Sequence, residues 1–164
     1  MRMIERRLIG IYLEDHYAGS TGGVELARRL RASNRDTEWT EDLERICVEV
    51  EEDRDSLRDV MEALGVRRNL PKAYGAWAFE KVGRLKLNGR LTGYSPLSRI
   101  VELEMLMIGV TGKQGLWDAL RRADRPELED FDLEALGKRA EAQRKVVKKI
   151  HRAAAERAFA GEAG

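Results

Sequence analysis

The chain has 164 residues, a formal net charge of +1, 36% charged and 6% aromatic residues, three prolines and one cysteine, Cys47. A chain of this length buries roughly two-thirds of its unfolded surface in one domain, so it needs neither a disulfide nor a metal to hold a core. A lone cysteine excludes an internal disulfide and fits the reducing cytoplasm, where we expect the protein. The apolar runs Leu8–Leu13 and Met105–Val110 are too short for a signal-peptide core or a membrane span, so no membrane partner is expected.

Apolar residues recur at helical spacing and never alternate for long, which predicts an all-α fold: an antiparallel bundle of about five helices. One domain is expected over 1–164, with 1–3 and 161–164 frayed. The first predicted helix runs from about Ile4 to Arg31, with a seam through Leu8, Tyr12, Asp15, Gly19, Gly23, Leu26 and Leu30. Gly19-Ser-Thr-Gly-Gly23 interrupts this seam. Because the periodicity continues across it, we expect an unbroken helix whose small residues let a neighbour approach closely. The second predicted helix starts near Thr40 and ends at Gly65, a good C-terminal cap. Its seam reads Leu43, Ile46/Cys47, Val50, Arg54, Leu57, Val60/Met61 and Leu64.

Pro71 suits the first position of a third helix, which reaches about Leu87 before Asn88-Gly89 stops it. Ser95 and Pro96 then read as N-cap and first residue of a fourth helix, Pro96 to Arg122. Between Ile100 and Val110 that helix is apolar nearly all round, as a central helix is. The fifth predicted helix runs from about Glu129 to Ala160 and carries a basic outer face that includes Lys138, Arg139, Arg144, Lys145 and Lys148.

The charge is unevenly spread. Residues 36–65 carry twelve acids and three bases, whereas residues 66–125 carry twelve bases and five acids. These segments are expected to offset one another inside the fold, the acidic second helix against the basic third helix and the loop after it. The basic face of the fifth helix lacks interleaved aromatics, so nucleic acid is not an expected partner.

Two constellations could carry chemistry. If the first two helices form a hairpin, Asp15 and His16 fall near Glu52, Asp53 and Asp55; with Glu104, an acid in an otherwise apolar stretch, they could hold a single transition-metal ion. The candidate ligands are Asp15, His16, Asp53 and Glu104. No Glu-x-x-His step accompanies them, and di-metal bundle sites need that step on two helices. The second constellation is Arg84, Arg90, Ser95 and Arg99, around the start of the fourth helix, where free N–H groups could hold a phosphate or another small anion. Cys47, on a helix seam, reads as a buried structural thiol, and no residue pattern names a catalytic group.

The stretch from Gly83 to Glu104, with Tyr12-Leu-Glu-Asp-His16 and Gly109-Val-Thr-Gly-Lys-Gln-Gly-Leu-Trp117, resembles a family of uncharacterised bacterial helical proteins. The resemblance implies a bundle of ferritin-like shape, up-and-down in arrangement, and no particular activity. The expected function is therefore non-enzymatic: a binding, scaffold or self-associating protein, with a homo-oligomer or a protein as partner. A ferritin-like metal-binding or redox protein, and an anion-binding module at Arg84, Arg90, Ser95 and Arg99, are the alternatives.

Overall fold

The computed structural model describes residues 3–66 and 94–160, with side chains from residue 5 onward. Those residues form four α-helices: α1 (Met3–Ser33), α2 (Thr40–Ala63), α3 (Pro96–Arg122) and α4 (Leu133–Phe159). A short 3-10 turn, Pro126–Leu128, precedes α4. No strand occurs among the described residues, so the fold is all-α. The third predicted helix lies outside them, as do Arg84 and Arg90.

Local chemistry sets the helix ends. Ser95 accepts the Ser98 N–H at 3.0 Å and Pro96 opens α3. Asp132 accepts the Ala135 N–H at 2.8 Å and caps α4. Gly65 follows α2 at φ +65°, the left-handed conformation that a helix C-terminus favours and that only glycine adopts without strain. The fifth predicted helix starts later than expected, because Pro126 and Asp132 divide its beginning into the 3-10 turn and a separately capped helix.

Cross-helix contacts give the directions. Arg28 pairs with Glu51 across α1 and α2, and Arg29 with Glu102 across α1 and α3. Glu104 meets His151 across α3 and α4, while Arg139 reaches Glu52 of α2 and Arg157 reaches Glu38 in the turn just before α2. Second contacts fix the sense: Arg31–Glu44 beside Arg28–Glu51, Arg99–Asn34 beside Arg29–Glu102 and Lys113–Gln143 beside Glu104–His151, so that in each pair of helices one sequence number rises as the other falls and all four contacts are antiparallel. Accordingly α2 and α3 run the same way, and residues 67–93 join them. The closest packing is within the α3/α4 and α1/α2 hairpins; α1 lies against α3, and α2 touches α4 more lightly.

The core is Leu13, Val24, Leu30, Ile46, Val60, Met61, Leu103, Leu116, Trp117, Val147 and Ile150, all nearly or fully buried. Two seams differ from expectation. On α1 the buried row is Leu13, Tyr17, Val24, Leu26, Ala27 and Leu30, so the predicted seam holds at Leu26 and Leu30, while Leu8 and Tyr12 are exposed. On α3 the apolar girdle is not buried all round: Ile108 is 73% exposed.

The acids of α2 are offset mainly from other places than the sequence suggests. Among the described residues their partners are Arg45, Arg54 and Arg58 of α2 itself, Arg28 and Arg31 of α1 and Arg139 of α4, with Lys113 the one from the basic 66–125 segment. The basic face of α4 is therefore partly used internally.

Candidate functional site

A cleft of about 490 Å³ lies between α1 and α3. Gly19 and Gly23 of α1 and Gly109 and Gly112 of α3 line it. Both helices continue through these positions, as expected for α1. Among the described residues the expected close approach does not occur: a methyl group built on Gly19, Gly23, Gly109 or Gly112 would meet none of their atoms within 4 Å. The absent side chains are what opens the space. Leu26, Leu57, Met105, Val110 and Leu116 supply most of the remaining wall, which is apolar.

At the floor sits a cluster of charges drawn from three helices. Asp53 of α2 is 2% exposed. Its Oδ1 accepts the Arg139 Nε–H at 2.8 Å and a second N–H from the same guanidinium; its Oδ2 accepts the Gln143 amide at 3.0 Å and the Lys113 ammonium. Lys113 of α3 also donates to the Gln143 Oε1 at 2.6 Å. Arg139 holds Glu52 at 3.0 Å on its solvent side. Asp53 and Lys113 both border the cleft. Burial pushes the Lys113 ammonium below the usual lysine range, against the pull of Asp53.

Trp117, four residues after Lys113, also borders the cleft. It is completely buried, and its indole N–H has no acceptor among the described residues. Leaving a buried donor unpaired costs about 1–3 kcal/mol, so such a group calls for an explanation.

The sequence-predicted metal residues separate. Asp15, His16 and Asp53 do line the same cleft, but Glu104 turns to α4 and meets His151 Nε2 at 3.0 Å. The buried acid of α3 is instead Glu102, which pairs with Arg29 at 2.7 Å and accepts the Tyr94 hydroxyl at 3.0 Å. Asp53 would have to surrender Arg139, Lys113 and Gln143 to bind a metal. Among the described residues, no group of three or more His, Cys, Asp or Glu side chains is placed to hold an ion.

Of the predicted anion-binding residues, Ser95 is committed to capping α3. Arg99 donates to Asn34 Oδ1 at 2.5 Å and stacks over Trp39 and Tyr94 at 5.1 and 5.5 Å from the ring centres. Both belong to a knot that ties the start of α3 to the α1–α2 turn. Cys47 is buried, as expected of a structural thiol.

His16 stands at the cleft rim, half-buried, its ring edge-on to Tyr12 at 4.6 Å. Burial lowers its pKa below 6.5, and Asp15 offsets part of that shift. A group depressed in the folded state contributes stability that is present above its unfolded pKa and lost as pH falls through the folded value. We expect the loss of stability below pH 6.5 to be smaller in His16→Gln than in the wild type. Urea midpoints at pH 7.5 and 5.5 measure it; an equal loss in both proteins would count against this placement of His16.

The fold and site together define an all-α bundle with an open, apolar cleft over a buried ion cluster. No family model, curated protein or solved structure matches the chain. No described helix is long and apolar enough to cross a membrane.

Proposed function

We propose that this chain is a non-enzymatic binding protein that takes a small, largely apolar molecule into the α1–α3 cleft. The observation that carries the reading is the set of four glycines around which none of the described residues packs. Each glycine inside a helix costs about 1 kcal/mol relative to alanine. No close approach requires them here, and what they provide is space. The cleft falls in the size range of ligand pockets, roughly 300–1,000 Å³, and has their character: apolar walls with a few converging polar groups.

The helix order supports a ferritin-like arrangement. Two antiparallel hairpins lie side by side, with α2 and α3 parallel, and ferritin-like bundles join such hairpins by one long connection. The reading extends to likeness with bacterial helical proteins of that shape and to a cytoplasmic setting, which the single buried thiol suits. Shape alone gives no activity, and the function is argued from the cleft.

A thermal-shift screen of small apolar compounds tests the proposal. Compounds that raise the melting temperature of the wild type should leave Gly19→Leu unmoved, because the leucine side chain would occupy the cleft. Equal shifts in both proteins would place binding elsewhere.

A further inference from the structure

We propose that the molecule the cleft takes is an amphipathic carboxylate, with its tail along the glycine-bearing faces of α1 and α3 and its head against Lys113. This rests on the cleft binding proposed above and adds the chemistry of the ligand.

The polar end of the cleft has donors to spare and no free acceptor at its floor. Both oxygens of Asp53 already accept two hydrogen bonds each, from Arg139 and from Lys113 and Gln143. An ammonium carries three N–H groups, and Lys113 spends them on two acceptors among the described residues, Asp53 and Gln143. Trp117, one helical turn along α3, is completely buried, and its indole N–H has no acceptor among the described residues, so the donor that the cleft itself can use is the Lys113 ammonium. A ligand head that only accepts hydrogen bonds fits this floor.

Charge makes the same selection. Lys113 and Arg139 face one buried carboxylate, Asp53, while Glu49 and Glu52 are 25% and 58% exposed. Lys113 is the cation of this cluster that borders the cleft, so a carboxylate head there meets an ammonium with an N–H to give. An ammonium head would face Lys113 and Arg139 instead. Asp15, the acid at the rim beside His16, is exposed and offers such a head little. A cleft of about 490 Å³ suits a tail of medium length.

Calorimetric titration of the full chain with decanoate, 1-decanol and decylamine tests this. Decanoate should bind about tenfold tighter than decanol, the difference between a charge-assisted and a neutral hydrogen bond, and decylamine should bind weakest. In Lys113→Met the decanoate preference should fall to within about twofold, with decanol unaffected. Decanol or decylamine binding the wild type as tightly as decanoate, or a preference that survives Lys113→Met, would overturn the assignment. A measurement on the wild type alone stands beside the variant: the carboxyl carbon of bound, 13C-labelled decanoate should titrate at lower pH than free decanoate, and titration at the free value would also overturn it. If none of the three ligands saturates, or if Gly19→Leu leaves every affinity unchanged, the cleft itself is not the binding site.

Discussion

Asp53→Asn is expected to lower the free energy of unfolding by about 3–5 kcal/mol, the usual cost of removing one partner from a buried ion pair. The asparagine keeps the volume and part of the hydrogen bonding. It leaves Lys113, whose side chain is 14% exposed, and Arg139 facing each other without the carboxylate between them. Three helices meet at this residue, α2 through Asp53, α3 through Lys113 and α4 through Arg139 and Gln143, so the loss falls on the joint between the two hairpins. Urea unfolding should show a lower midpoint with an unchanged slope. Adding Lys113→Met should recover part of the loss, since it removes a stranded cation, and the double variant should be more stable than the sum of the two single effects implies. A change below about 1 kcal/mol for Asp53→Asn would mean that water screens the cluster as it screens a surface pair.

The opposite sign is expected at the cleft walls. Replacing Gly19, Gly23, Gly109 and Gly112 together by alanine should raise stability by about 4 kcal/mol, near 1 kcal/mol for each position. For a chain of this size that corresponds to a melting temperature higher by about 8–16 °C. No added methyl meets an atom of the described residues within 4 Å, so no steric strain from them opposes the gain. The same four methyl groups narrow the cleft, so affinity for apolar ligands should fall as stability rises, as when a site is maintained against the fold's own preference. Differential scanning calorimetry and a ligand titration on the same variant measure both. A destabilised variant would show that the glycines answer a backbone requirement rather than a need for space.

The helix ends were legible in the sequence because their causes are local. Ser95-Pro96 opens α3, and Gly65 follows α2 at positive φ. The apolar seam of α2, from Leu43 to Leu64, was legible for the same reason, since periodicity fixes which face is buried. The charged residue within that seam was not. Asp53 and Arg54 are neighbours about 100° apart on the helix, and either could turn inward until the partners on α3 and α4 are known. The structure buries Asp53.

The same limit governs α3, where the composition drew attention to Glu104 and the fold buries Glu102 against Arg29 and Tyr94. Arg139 was hidden in a basic face that reads as solvated throughout. The glycines of α1 looked alike whether a neighbour came close or stayed away, because the spacing between two helices is not written in either one. Trp117 is core, and its N–H, unpaired among the described residues, becomes visible only once the nearby acceptors are placed.

The central claim is that the α1–α3 cleft is a binding site for a small apolar molecule. Intermolecular NOEs between bound decanol and the protein's methyl groups test it most directly. The account predicts NOEs to the methyls of Leu26, Met105 and Val110, which line the cleft. NOEs confined to Leu8, Ile11 and Ala160, which lie outside it, would contradict it.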